Sequence, residues 1–316
     1  MKQAIVLLNM GGPNNLNEVE LFLENMFNDP NILTMNSTLL RKFIARMITF
    51  MRTEASQEIY SQLGGKSPIV GHTEKLVAAL QQRFDDNTTV DFVMRYTPPF
   101  AAEVIERLKA QHVEKIYLIP LYPQYSTTTT KSSLEDFEAQ FHDSGMDAVL
   151  VEIKHYYENK TLNKAIVKKI TACVSSEESE VFDLIFSAHG LPQKIVDSGD
   201  AYERQVRRHV GLIQEELRAQ HIKFNAVHLA YQSKVGPMAW LKPSLDETLK
   251  VMLNKKVVIC PIAFTIDNSE TDFELGVEYK EIADELGFEA YRVSECLNDD
   301  PLFVDALCEI YEKMRE

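Results

Sequence analysis

The stretch Phe182-Asp183-Leu184-Ile185-Phe186-Ser187-Ala188-His189-Gly190-Leu191-Pro192 decides the fold. Its apolar run, Phe182–Ser187, has the length of a buried strand and is too short for a helix. Gly190 and Pro192 break it, Gly190 by permitting unusual backbone angles and Pro192 by stiffening the exit. From Tyr202 to Gln220 the apolar positions then recur at helical spacing. Strand, turn and helix repeat along the chain. Ala4–Leu8, Val90–Met94, Lys115–Leu121, Val149–Ile153, Asn225–Ala230 and Val257–Ile262 read as further strands. Glu74–Phe84, Phe100–Gln111, Ser133–Asp143 and Thr271–Leu286 read as helices. Such alternation predicts an α/β fold with parallel sheets flanked by helices. The expected architecture is two similar half-domains facing a cleft, residues 1–150 and 151–316. The hinge is expected within residues 145–165, around Ser144-Gly145-Met146.

Composition narrows the function. The chain has 316 residues, enough for one large or two medium cores. Its 33 basic and 47 acidic residues leave a net charge of −14, which argues against a general nucleic-acid role. No apolar run reaches the roughly 18 residues of a membrane helix. The N-terminus leads straight into a strand rather than a signal peptide, so a cytoplasmic protein is expected. Cys173, Cys260, Cys296 and Cys308 are scattered without a Cys-x-x-Cys pair, which speaks against structural zinc and an iron–sulfur cluster.

Ligands of parallel sheets bind beyond the carboxyl ends of the strands, and polar candidates collect there. Asn9–Pro13 follows the first strand, Arg95-Tyr96 the second and Tyr122–Ser126 the third. His189 follows the fifth, Tyr231–Ser233 the sixth, and Asp267-Asn268-Ser269-Glu270 the seventh. An isolated loop histidine usually bonds only nearby backbone. Position at a strand end, matched by a carboxylate-rich helix start, favours a site instead.

Ser269 is the expected N-cap of the last helix. Glu270, Glu274, Glu278, Glu281 and Glu285 would then share a stripe roughly 80° wide. Glu278, Glu281 and Glu285 read as a solvated face. Glu270 and Glu274 sit at the strand end, where bound cations or protons would relieve their repulsion. Imidazole with carboxylate suits a first-row divalent ion such as Fe²⁺.

Pro30–Thr53 lacks any acidic residue. It interleaves Arg41, Lys42, Arg46 and Arg52 with Leu39, Leu40, Phe43, Ile44, Met47, Ile48, Phe50 and Met51. A basic, Met-rich amphipathic helix suits a flat apolar ligand carrying carboxylates, or an anionic membrane surface. There is no phosphate-binding Gly-x-x-x-x-Gly-Lys loop, Gly-x-Gly-x-x-Gly turn, Gly-x-Ser-x-Gly elbow or His-Glu-x-x-His helix.

The chain resembles the ferrochelatases along essentially its whole length. The resemblance rests on Leu7–Pro13 (Leu-Asn-Met-Gly-Gly-Pro preceded by Leu), Gly64–Ile69, Arg95-Tyr96, Tyr122–Ser126, Ser187–Pro192, Tyr231–Leu241, Pro261–Phe264 and Leu297–Phe303. It implies two Rossmann-like half-domains with a porphyrin between them, and insertion of Fe²⁺ into that porphyrin as the last step of haem synthesis. It implies catalytic and metal-contacting roles for His189 and Glu270. It implies substrate contacts from Met10, Arg52, Tyr60, Ser67, Arg95, Tyr96 and Trp240, with Asp267 and Glu274 as supporting acids. Protoporphyrin IX is the expected substrate, since Met10 stands where coproporphyrin-using relatives carry tyrosine. Protohaem is the product, and iron is a substrate rather than a cofactor. No cofactor is expected, and in particular none of the [2Fe–2S] clusters that some relatives carry on a C-terminal extension. Residues 33–52 are expected to touch a membrane peripherally. The sequence departs from the family pattern at Asn268, where histidine is usual, at Asp272 for leucine and at Gly276 for aspartate. The alternatives are a coproporphyrin III enzyme, a cobalt-inserting sister chelatase and a haem or porphyrin carrier without chemistry. His189 and Glu270 are expected to act from opposite faces of the macrocycle, His189 as proton acceptor.

Overall fold

The computed structural model describes residues 2–35, 37–234, 236 and 238–316. Asn36 of the basic segment, and Val235 and Pro237 of the Tyr231–Leu241 motif, lie outside the described residues. Contacts divide the chain into two units, one of residues 1–155 with 307–316 and one of residues 156–306.

The first unit carries β1 (Gln3–Asn9), α1 (Val19–Asn28), α2 (Thr38–Gln62), α3 (Ile69–Gln81), β2 (Thr88–Met94), α4 (Ala101–Ala110), β3 (Lys115–Pro120), α5 (Ser132–Ser144) and β4 (Val149–Glu152). Its sheet has the order β2-β1-β3-β4 with every pairing parallel. Ala4 to Leu8 are all buried, as the continuous apolar run of a strand covered on both faces requires. Val104, Ile105 and Leu108 of α4 and Phe137 of α5 pack on one face of it. Residues 307–316 belong to this unit, where the Tyr311 ring stands edge-on to Tyr117 and Phe84.

The second unit carries α6 (Lys160–Cys173), β5 (Asp183–His189), α7 (Gln193–Asp197), α8 (Tyr202–Ala219), β6 (Ala226–Gln232), α9 (Leu245–Val251), β7 (Lys256–Pro261), α10 (Tyr279–Glu285), β8 (Ala290–Val293) and the start of α11 (Pro301–Arg315). The order β6-β5-β7-β8 repeats that of the first sheet, again all parallel. The registers correspond residue by residue. Leu8 pairs with Val93 and Pro120, and Ser187 pairs with Ala230 and Pro261. Two residues on, Met10 therefore holds in the first unit the register position that His189 holds in the second. Gly11 and Pro13 likewise match Gly190 and Pro192.

Three expectations change. Ser144-Gly145-Met146 is the end of α5, with Gly145 in the left-handed conformation of a helix C-cap (φ 62°), while the division falls after His155, inside the 145–165 window, and residues 307–316 join the first unit rather than the second. The short strand β8 was not anticipated, because Ala-Tyr-Arg-Val is half-buried at a sheet edge and shows no clean alternation. The helix expected from Thr271 to Leu286 is instead π-helical over Glu270–Glu278 and α-helical only from Tyr279. A π-helix closes i→i+5 hydrogen bonds and turns less per residue than an α-helix, so the stripe drawn at 3.6 residues per turn does not hold across Glu270–Glu278. Glu278, Glu281 and Glu285 are nevertheless exposed. A second π-helical turn, Thr127–Lys131, follows β3 at the equivalent place in the first unit.

Candidate active site

His189 is the last residue of β5, and its neighbours hold it from several sides. The Tyr202 hydroxyl donates to the His189 carbonyl at 3.0 Å. The Phe264 ring stands edge-on to the imidazole, centroids 6.4 Å apart. Gly190 donates its N–H to the Gln232 carbonyl at 2.9 Å, and a Cβ there would come within 2.8 Å of that oxygen. Close approach of the β6 end, rather than an unusual φ, is what requires glycine. Trp240 packs against the same spot and bridges to Pro192.

Glu270 opens the π-helix, and its carboxylate Oε2 lies 2.7 Å from His189 Nδ1. The pair is partly exposed, the imidazole by 37% and the carboxylate by 23%. In direct contact, the two groups as they stand leave no room for a planar ligand between them, where the sequence reading expected them on opposite faces of one.

Glu274 completes the cluster through residues that the sequence reading placed at a strand end but gave no role. Ser233 donates its N–H to Glu274 Oε1 at 2.7 Å, and its hydroxyl lies 2.6 Å from Glu274 Oε2 and 3.2 Å from Glu270 Oε2. Ser233 adopts a left-handed backbone (φ 65°), a conformation that non-glycine residues keep mainly where surrounding structure demands it. Ser187 donates to Gln232 Oε1 at 2.7 Å and so fixes which way that amide faces. Gln232 Nε2 then donates to Glu274 Oε2 at 3.1 Å and to the Glu270 carbonyl at 3.2 Å.

Electrostatics divide the three groups. Burial pulls His189 toward neutrality, but the Glu270 charge, its hydrogen bond and the Glu274 charge outweigh burial and raise its pKa. Burial would raise Glu270, yet the His189 charge and the bonds from His189 and Ser233 bring it below the usual range. Glu274 is pushed up to about 7 by burial and by Glu270, against the bonds from Ser233 and Gln232. The cluster thus holds an ionised carboxylate against an imidazole of raised basicity, beside a carboxyl poised near neutrality. That combination can take up and pass on protons.

Two other expectations fall here. Ser269 makes no capping bond. Asn268 caps instead, its Oδ1 accepting the Glu270 N–H at 2.8 Å while its Nδ2 donates to the Ile266 carbonyl at 3.0 Å. At the position where the resemblance implied an imidazole, this chain therefore has a buried turn residue. Asp267 does not join the carboxylates. It is buried and bonded to Asn298 and to the Cys296 N–H. Among the described residues no group of three or more His, Cys, Asp or Glu side chains is arranged to hold a metal ion.

The first unit gathers most of its candidates separately. Met10, Tyr60 and Tyr96 share one apolar cluster with Phe22 and Ile48. Ser67 is buried, donating its N–H to the Pro13 carbonyl at 2.8 Å. Arg52 is exposed on α2. Arg95 and Tyr96, read as substrate contacts, bind Asp29. Arg95 Nη2 lies 3.2 Å from Asp29 Oδ2, and the Tyr96 hydroxyl donates to the same oxygen at 2.9 Å. Ser132 donates to it as well, and Arg95 also reaches Asp136 at 3.3 Å. Asp29 was missed because a lone Asp before Pro30 looks like an ordinary turn residue.

Two Rossmann-like units of equal topology, with a His–carboxylate pair at a strand end, define the chelatase class by fold. SirB from Bacillus subtilis with Fe³⁺ has a TM-score of 0.59 at 12% identity, covering 99% of this chain and 96% of that one. CbiX, described as the terminal enzyme for biosynthesis of sirohaem in denitrifying bacteria, has a TM-score of 0.52 at 11% identity, with 99% of each chain covered. These likenesses concern the fold. The ferrochelatase family model matches residues 2–315. Curated ferrochelatases agree. That of Sulfurimonas denitrificans is 63% identical over 99% of both chains, and that of Wolinella succinogenes 46% over 98% of both. The chain belongs to the ferrochelatase family and is a metal chelatase of haem synthesis.

Proposed function

We propose that this chain inserts Fe²⁺ into protoporphyrin IX, releases two protons and yields protohaem. The observation that carries the reading is the His189–Glu270 contact at 2.7 Å. A free-base porphyrin must lose two pyrrole N–H protons as iron enters. Glu270 accepts from Nδ1–H and orients the imidazole, leaving Nε2 to accept a pyrrole proton. The resulting imidazolium rests against the Glu270 carboxylate. Glu274, poised near neutrality beside it, passes protons onward or meets the incoming iron. Binding that favours a bent macrocycle would expose its nitrogens and lower the barrier further. Met10, Arg52, Tyr60, Ser67, Arg95, Tyr96 and Trp240 are proposed to shape the porphyrin site, with Arg95 and Tyr96 acting through the Asp29 network.

A second reading concerns location. No helix among the described residues is long and apolar enough to cross a membrane. Leu39, Phe43 and Phe50 on α2 are 82%, 68% and 86% exposed, with Arg41, Lys42 and Arg46 between them. A peripheral contact of residues 33–52 with the anionic face of a membrane, from the cytoplasm, fits that composition.

The test is anaerobic insertion of Fe²⁺ with protoporphyrin IX and coproporphyrin III as competing substrates. Faster turnover of protoporphyrin is expected. Preference for coproporphyrin would transfer the assignment to that substrate, and haem binding without any iron-dependent absorbance change would leave only a carrier.

A further inference from the structure

Asp267 and Asn298 meet in a closed hydrogen-bonded ring inside the second unit. The Asp267 N–H donates to Asn298 Oδ1 at 3.0 Å, and Asn298 Nδ2 donates to Asp267 Oδ2 at 2.6 Å. The other carboxylate oxygen accepts the Cys296 N–H at 3.1 Å, and the Asn298 N–H reaches the Thr265 carbonyl at 2.9 Å. Both side chains are buried at 8% exposure. Asn298 sits at φ 49°, a left-handed conformation that asparagine and aspartate tolerate better than most residues. Four bonds thus tie the turn before α11 to the turn that leads into the π-helix. Glu270 stands three residues beyond Asp267, and between them Asn268 uses its whole amide to close the turn.

We propose that Asp267 and Asn298 form a clasp that positions Glu270 against His189, and that Asp267 neither binds iron nor carries protons. The donor and acceptor pattern supports this role. Two N–H groups, those of Cys296 and the Asn298 amide, converge on Asp267. A carboxylate offers an acceptor to each, whereas an amide in its place offers only one. The functional half of the proposal rests on the reading of Glu270 as part of the proton-accepting pair.

Asp267→Asn orphans one donor, and Asn298→Asp sets two carboxylates face to face. The reciprocal double variant, Asp267→Asn with Asn298→Asp, restores every bond with the pattern reversed. It moves the negative charge from residue 267 to residue 298. In iron insertion each single variant is expected to lose kcat on the order of 100-fold, the scale of a small misplacement of a reacting group. KM for porphyrin should hold within about twofold, since uniform binding is untouched. The double variant should recover most of the loss. A folded double variant as inactive as the singles, or an active Asp267→Asn, would overturn the proposal. Asn298→Gly keeps the left-handed backbone accessible and guards against misfolding of the charged variants. Its Asp267 and Glu270 amides should exchange with solvent roughly tenfold faster, as loss of buried hydrogen bonds requires. Unchanged exchange would likewise defeat the clasp. Faster exchange at undiminished turnover would overturn it too, unless Glu270→Gln also keeps full turnover, in which case Glu270 falls from the reaction and the failure lies in that reading.

Discussion

Glu270 Oε2 lies 2.7 Å from His189 Nδ1 and 3.2 Å from Ser233 Oγ, so a single carboxylate oxygen serves both the imidazole and the serine. The contact explains why the histidine is more basic than its partly buried setting would make it. Glu270→Gln keeps a hydrogen-bonding oxygen but removes the charge. Burial is then less opposed, and the His189 pKa should fall below its value in the unaltered protein, read from the imidazole C–H resonance in an NMR titration. Iron insertion should drop by about 10²–10³-fold, the usual worth of a positioned acid–base group. A His189 titration unmoved by the substitution would break the link between the two residues.

Much of this site was legible in the sequence because strand ends are legible. The apolar runs before His189 and Asp267 placed both segments at carboxyl ends of parallel strands, and the pairing follows from that topology. What stayed hidden depends on side-chain direction. Asp267 and Glu270 are three residues apart and equally acidic on paper, yet one is locked to Asn298 and the other faces His189. The π-helical winding of Glu270–Glu278 also leaves no trace in a pattern read at 3.6 residues per turn. The repeat of the two units is hidden for another reason. Parallel strands share the same apolar run whatever their identity, and only glycine and proline mark the match of Met10-Gly11-Gly12-Pro13 with His189-Gly190-Leu191-Pro192.

Asp29 gathers Arg95, Tyr96 and Ser132 on one buried carboxylate oxygen and fastens the chain just before α2, its Oδ1 also accepting the Asn31 N–H at 2.7 Å. Asp29→Ala would leave the largely buried Arg95 guanidinium with Asp136 as its remaining carboxylate and the Ser132 hydroxyl beside it, and would leave the Tyr96 hydroxyl only the longer contact to Ser132. Breaking a buried pair from one side costs about 3–5 kcal/mol. Arg95 retains some solvent contact, which favours the lower end. Urea unfolding should show the midpoint falling with little change in slope. Tyr96→Phe, which removes one bond and keeps the ring, should cost only about 1 kcal/mol.

Phe43 and Phe50 stand out from α2 at 68% and 86% exposure. Replacing both with serine should alter stability by less than about 0.5 kcal/mol per site, as for other surface positions. Cosedimentation with vesicles containing anionic lipid should fall severalfold if α2 rests on a membrane, because both apolar burial and basic attraction contribute there. Binding that persists in the double variant would place any membrane contact elsewhere.

His209 is wholly buried in α8, with Nε2 donating to Asn163 Oδ1 at 2.9 Å, and burial lowers its pKa to about 3. An unfolded histidine titrates near 6.5. Between these values the unfolded chain binds a proton that the folded protein refuses, so stability rises with pH across this window. The contribution is full above about pH 6.5 and is lost progressively as pH falls toward 3. The difference is on the order of 3–5 kcal/mol, taking 1.36 kcal/mol per unit. His209→Gln can still donate to Asn163 but has no group that titrates here. Its own packing loss would lower stability at neutral pH, while its stability should decline less steeply on acidification. Urea midpoints measured at pH 7 and pH 5 decide the matter. Equal declines in both proteins would show that other groups govern the acid limb.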